Sequence, residues 1–180
     1  MDSWGDPVTG SIYDNIGDFF QGSSVWDNSV SVSGGSKNGS FYLSGSNYDQ
    51  TGIIPTTGYN KTTFRFNGEQ KYGILTVGAN VSYSQAKTDK TLTSAGLYGQ
   101  GGNGAMTAVY GWPIDDQMSH YLNDDGSKYR ILEGLQDLKD DVENPYWILN
   151  KNTLNDETSR FTGAINASLE ITDWWNVSAR

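Results

Sequence analysis

The 180-residue chain carries a net charge of −9, with 12 Lys and Arg against 21 Asp and Glu, so it lacks the basic face that a nucleic-acid partner requires. With no cysteine, disulfides, thiolate metal sites and thiol nucleophiles are excluded, and a lone histidine rules out a histidine-rich metal centre. The 22 glycines, 11 tyrosines and 6 tryptophans against 4 prolines favour many strands and turns, and no apolar run approaches the ~18 residues of a transmembrane helix.

The opening "MDSWGDPVTG" has neither the basic nor the apolar region of a signal peptide, so an export signal, if the protein uses one, is expected outside this chain. Residues 1–24 read as a lead-in loop or helix. In "VWDNSVSVS" Trp26, Val30 and Val32 share a face opposite Asp27, Ser29, Ser31 and Ser33. "SFYLSGS" sets Phe41 and Leu43 against Tyr42, Ser44 and Ser46, and "TTFRFNGE" sets Phe64 and Phe66 against Arg65 and Asn67. In "ILTVGANVSYS" Leu75, Val77, Ala79, Val81 and Tyr83 alternate with Thr76, Gly78, Asn80, Ser82 and Ser84. "RFTGAINASLEI" and "WWNVSAR" repeat the rule, with Phe161, Ile165 and Leu169 opposite Asn166, and Trp175 and Val177 opposite Asn176. Period-two alternation of this kind is the signature of strands with one apolar and one polar face.

Six such strands predict an all-β chain of antiparallel amphipathic strands, four of them within 25–86 and a hairpin over 158–180. The connections alternate in length. "GGSKNG" carries the Asn-Gly signal of a tight hairpin, and "QKYG" and "TDW" are also tight. Between them lie the longer "YDQTGIIPTTGYN" (Tyr48–Asn60) and a loop over Lys87–Glu157. Short turns at one end and long loops at the other are the habit of a membrane barrel, although a sandwich with one long insertion shares it. The long loop holds 12 acidic and 6 basic residues, and so most of the chain's negative charge. Within it Ile131, Leu135, Leu138 and Val142 fall at helical spacing and predict one short amphipathic helix, ended by "ENP".

No motif points to catalysis. Gly99, Gly101 and Gly104 match G-x-G-x-x-G but lack the strand and helix that would make it a dinucleotide site. Asn123, Asp125 and Gly126 imitate part of a calcium loop, yet in that register Tyr121 and Leu132 occupy ligand positions, so an Asp-Gly turn is expected. His120 reads as loop surface rather than a triad base, and Asp115–Asp116 and Asp140–Asp141 as solvated carboxylates rather than a glycosidase pair. The expectation is therefore a non-enzyme with no catalytic residue, no metal ligand and no cofactor. Of five N-x-[ST] sequons, at Asn38, Asn60, Asn80, Asn166 and Asn176, all but Asn38 and Asn60 sit inside predicted strands on the polar side, where Asn and Ser alternating give the pattern by chance. Trp26, Trp174, Trp175 and Tyr83 lie near strand ends, where barrels place interfacial aromatics.

The blocks "NSVSVSGGSKNGSFYLSGSNYDQTGII", "LTVGANVSYSQAKTDKT", "ENPYWILNKN" and "RFTGAINASLEITDWWNVSAR", in that order, with "IYDNIGDFFQGS" ahead of them, resemble the SusC/RagA-like family of TonB-dependent outer-membrane transporters. The resemblance implies a Gram-negative outer-membrane barrel of about 22 strands around a plug. Its partners would be the TonB complex, a SusD-like surface lipoprotein, outer-membrane lipid, and an oligosaccharide or peptide substrate. No TonB box, plug or closing strand is seen, so the chain is expected to be an internal barrel piece. On this reading Phe64, Phe66, Leu75, Val77, Val81, Phe161, Ile165 and Leu169 face lipid, and Arg65, Asn67, Asn80 and Asn166 face the lumen. Tyr98, Tyr110 and Trp112 are the candidate contacts for substrate or lipoprotein, because aromatic faces stack on sugar rings. The rival expectation is a secreted soluble β-sandwich that binds carbohydrate.

Overall fold

The computed structural model of the protein describes residues 7–91, 104–131 and 143–180. The elements in chain order are α1 (Asn15–Phe19), β1 (Val25–Ser36), β2 (Gly39–Thr51), β3 (Gly58–Tyr72), β4 (Leu75–Thr91), α2 (Ala105–Gly111), α3 (Pro145–Lys151), β5 (Thr153–Thr172) and β6 (Trp175–Ala179). They fall into two units: a strand unit of Ser24–Thr51, Gly58–Thr88 and Asp156–Arg180, and a loop unit of Met1–Ser23, Gly52–Thr57 and Asp89–Asn155.

The strands form one antiparallel sheet of six in sequence order, with β1 and β6 at its edges. The first hairpin pairs Ser36 with Gly39 around Lys37 and Asn38. Neither central residue has positive φ, so the Asn-Gly pair does not form the turn's centre; Gly39 opens β2, and Ser36 Oγ accepts the Asn38 N–H at 3.3 Å. The turn into β4 runs over Gly73 and Ile74, and Gly73 takes φ +61, a left-handed conformation that a Cβ would disfavour. β5 returns into β6 over Asp173 and Trp174, with a register shift between Glu170 and Thr172.

The strands are longer than their alternation indicates. β2 continues to Thr51 and β3 starts at Gly58, which leaves 52–57 as the link instead of Tyr48–Asn60. β4 runs on to Thr91, and β5 starts at Thr153. Ladder hydrogen bonds belong to the main chain and persist after the side-chain file turns polar. Side chains past the apolar file also bond across the strands: Gln85 Nε2 donates to Glu157 Oε1 at 2.5 Å between the neighbouring strands β4 and β5.

The loop unit has the organisation of a small water-soluble core. Phe19 of α1, Ala105, Ala108 and Val109 of α2, Trp112, Met118, and Ile148 and Leu149 of α3 are buried together, with Ile54 from the 52–57 link packed against them. Two asparagines hold its irregular backbone. Asn15 Nδ2 donates to the carbonyls of Pro113 and Asp116, both at 2.9 Å, and its Oδ1 accepts the Met118 N–H at 3.0 Å. Asn144 Nδ2 donates to the Met118 carbonyl at 2.9 Å while its Oδ1 caps α3 by accepting from Tyr146 and Trp147. "ENP" therefore starts a helix: Asn144 is the N-cap and Pro145 sits in the first turn, where its missing N–H costs nothing. The helix expected over Ile131–Val142 lies largely outside the described residues, and α2 and α3 were not anticipated.

Candidate functional site

Cross-strand partners in a sheet point to the same side, so the register sorts side chains by face. Val30–Gly45–Phe64 and Val32–Leu43–Phe66 are two rows of one face, and Ser31–Ser44–Arg65 and Ser33–Tyr42–Asn67 two rows of the other. One face is thus apolar and the other polar.

Among the described residues of the strand unit, the apolar face is largely open. Phe64, Phe66, Phe161, Ile165 and Leu169 are exposed, Phe161 and Ile165 at 70%, while Leu75, Val77 and Val81 are half-buried. Two glycines let aromatic rings lie against the sheet in the row Gly34–Phe41–Gly68. A Cβ at Gly34 would stand 2.8 Å from Phe41 Cε1, and one at Gly68 2.8 Å from Phe66 Cζ. Trp26, Trp174 and Trp175 are exposed at strand ends, and the rings of Trp174 and Trp175 stack with centroids 6.4 Å apart.

On the polar face a shared concavity brings the expected amides together. Asn67, Asn80 and Asn166 line a cavity of about 190 Å³ with Tyr42 and Glu69. Gly78 makes room for one of them, since a Cβ there would meet Asn166 Oδ1 at 2.6 Å. Arg65 lies on the same face in the neighbouring row, opposite Ser44. A larger cavity of about 410 Å³, lined in part by Asp27, Tyr48, Gln50, Tyr59 and Lys61, lies toward the Gly52–Thr57 end of the β2–β3 hairpin. Its residues escaped the sequence reading because Tyr48 and Tyr59 fall in a stretch rich in turn formers. Of these residues only Asp27 had been placed in a polar file; the signal for the others was that Tyr48 extends the file of Ser44 and Ser46, and Lys61 that of Arg65 and Asn67.

The candidate loop aromatics separate. Tyr98 lies outside the described residues, and Tyr110 is 66% exposed. Trp112 is only 5% exposed and packs in the loop core, so its face is not offered to a ligand; burial of the large ring among apolar side chains outweighs leaving its indole N–H without a partner. His120 is exposed, with its ring stacked on Tyr129 at 4.4 Å. Asn123 to Lys128 form the expected turn, with Leu122 bridged to Lys128 and Gly126 at φ +80. Ser127, through its side chain and its backbone N–H, holds the Asp125 carboxyl below the usual carboxylate range. Burial, aided by the Asp18 charge, raises the Tyr146 phenol above its ordinary value. Among the described residues no group of three or more His, Cys, Asp or Glu side chains could hold a metal ion, and no helix is long and apolar enough to cross a membrane.

An antiparallel sheet of long strands, apolar on one side and polar on the other, has the architecture of a β-barrel wall segment. The chain is 26% identical over 151 residues to the TonB-dependent receptor P3 of Formosa agariphila, an alignment covering 83% of this chain and 14% of that protein. The chain thus spans a small part of its relative's length, and the likeness supports a relationship to TonB-dependent receptors. No protein-family model matches the chain.

Proposed function

We propose that this chain is part of the wall of an energy-coupled outer-membrane importer of the SusC/RagA-like kind, and that its role is transport and not catalysis. The observation that carries the reading is the register of β1, β2 and β3, which puts Val30, Val32, Leu43, Phe64 and Phe66 on one face and Ser31, Ser44, Arg65 and Asn67 on the other. In this reading Phe64, Phe66, Leu75, Val77, Val81, Phe161, Ile165 and Leu169 meet lipid, and Arg65, Asn67, Asn80 and Asn166 line the aqueous lumen. The apolar file of β5 from Phe161 to Ile171 has the length of roughly 9–11 residues that a tilted barrel strand needs to cross a bilayer. Beyond it the same file continues as Ser159, Glu157 and Asn155, side chains suited to water.

The importer would take up an oligosaccharide or peptide, draw energy from the TonB complex and work with a SusD-like surface lipoprotein. Among the described candidates, Tyr110 is the loop aromatic available to substrate or lipoprotein. The test is an epitope inserted between Asp124 and Asp125 of the receptor that carries this chain. The long-loop end should be extracellular, so antibody should label intact cells, and the receptor should fractionate with the outer membrane. A soluble, unlabelled protein would overturn the reading.

A further inference from the structure

We propose that the cross-strand row Asp27–Tyr48–Lys61 on the polar face is a binding site for a dipolar solute, with a cationic group at one end and an anionic group at the other, as in a short peptide with free termini. This rests on the reading that the polar face lines an aqueous lumen, and it names the chemistry of the solute taken there.

Asp27 pairs with Tyr48 and Tyr48 with Lys61, so the carboxylate and the ammonium flank the tyrosine on one side of the sheet. Their backbones are two strand spacings apart, about 9.5 Å. Neither side chain forms an ion pair or hydrogen bond with another described residue. Of the other charged residues of this face on these strands, Arg65 is aligned with Ser44 and Ser31, Glu69 with Ser40 and Gly35, and Lys71 is already paired with Glu170 at 2.7 Å.

The floor between the two charges is fixed and partly polar. Tyr48 Oη donates to Gln50 Oε1 at 3.0 Å, which leaves the Gln50 amide N–H groups for a ligand. The rings of Tyr48 and Tyr59 meet edge to face, centroids 5.8 Å apart at 60°, and so hold one another in place. The concavity of about 410 Å³ is open to solvent, so the two charges and the amide, not enclosure, select what lies there.

Charge decides what fits. A purely anionic solute is repelled by Asp27 and a purely cationic one by Lys61, while a neutral sugar offers hydroxyl partners but no counter-charge. A solute carrying both charges satisfies both ends. An extended peptide spans at most about 3.3–3.6 Å per residue, so a tripeptide of roughly 10 Å matches the row. Its backbone then lies across Tyr48 with its amides in reach of Gln50.

The experiment is calorimetric titration of the detergent-purified receptor that carries this chain. The probes are trialanine with free termini, the N-acetylated and C-amidated forms, and maltotriose. Free trialanine should bind, and capping either end should weaken it about tenfold, the scale of one lost charge-assisted hydrogen bond. The penalty for acetylation should vanish in Asp27→Asn and that for amidation in Lys61→Gln, whereas Lys61→Arg should behave as the parent. Equal affinity for free and capped peptide, preference for maltotriose, or binding of none of the probes would overturn the site. Outer-membrane fractionation of the same receptor reports on the barrel reading separately, so a receptor that resides in the membrane yet ignores all four probes sinks the site alone.

Discussion

The strand unit and the loop unit dispose of their apolar side chains in opposite ways. Among the described residues, every buried apolar side chain of the core, from Phe19 through Val109 and Met118 to Leu149, belongs to the loop unit, including the eight-residue cluster that α1, α2 and α3 share. The strand unit contributes none, and many of its apolar side chains stand open, Val30 at 74% and Phe161 at 70% among them. Segments that look like loops thus do what a water-soluble domain does, while the regular sheet does not. Removing an aliphatic or aromatic side chain from water is worth about 1.5–3 kcal/mol, a gain the apolar file does not realise within the chain. In the proposed reading the contrast reflects two surroundings: water around the loop unit, and an apolar medium against one face of the sheet.

The most severe way to break this contrast is to deny the sheet its apolar medium. Made alone in detergent-free buffer, the chain should aggregate, because β1 and β6 present unpaired edges and the face carrying Val30, Phe64 and Phe161 forms an apolar patch beyond what soluble monomers tolerate. Size-exclusion chromatography should show void-volume material that detergent disperses. A sharp monomer peak with a cooperative melt would instead promote the soluble β-sandwich.

Substitutions within the two apolar sets sharpen it further. Phe19 is fully buried against Phe20 and Tyr146, with ring centroids 5.3 and 5.5 Å away. Phe19→Ala should cost the loop unit about 3–5 kcal/mol, seen as protease cleavage within it. Val30→Ala on the open face should stay within about 0.5 kcal/mol in the detergent-solubilised receptor, as for other exposed positions. Comparable losses at the two sites would erase the distinction between the units.

Much of the sheet was legible because its face pattern is local. Val77, Ala79 and Val81 against Gly78 and Asn80 declare a strand without knowledge of its neighbours, and Gly73 declares a turn. Strand length was not legible, since past Tyr83 the outward file becomes Gln85 and Lys87 and alternation disappears while pairing continues. The loop core was hidden for a different reason. Phe19, Ile54, Trp112 and Ile148 come from four stretches with no common period, and only the folded chain shows that they converge. That is why Trp112 was expected at the surface. The start of α3 was readable in retrospect from Asn144 followed by Pro145, a cap and first-turn pair.

A smaller effect tests the two faces of the sheet against one another. Val77→Arg in the complete barrel should cost about 2–4 kcal/mol if that position lies near the bilayer midplane, whereas Asn80→Arg should be tolerated, since the proposed barrel turns that residue to water. Urea titration of the receptor in liposomes compares the two variants directly. Equal destabilisation would mean that the alternation along β4 does not separate lipid from lumen.

The smallest expected effect lies in the loop unit, at the turn from Asn123 to Lys128. Asp125 Oδ1 accepts the Ser127 N–H at 2.8 Å, the Asn123 N–H donates to the Ser127 carbonyl at 2.9 Å, and Asn123 Nδ2 reaches Ser127 Oγ at 2.9 Å. The Ser127 side chain and then its backbone N–H stabilise the carboxylate, so its pKa in the folded protein is depressed. A depressed acid contributes stability that is present above its unfolded pKa and is lost as pH falls through the folded one. The turn should therefore hold at neutral pH and loosen only in acid below the ordinary carboxylate range. Carboxyl carbon NMR of Asp125 across an acid titration measures this. Ser127→Ala should move the midpoint upward without fully restoring the ordinary value, since the backbone N–H remains. An Asp125 that already titrates in the ordinary range in the parent protein would show that the turn's geometry does not depend on its charge.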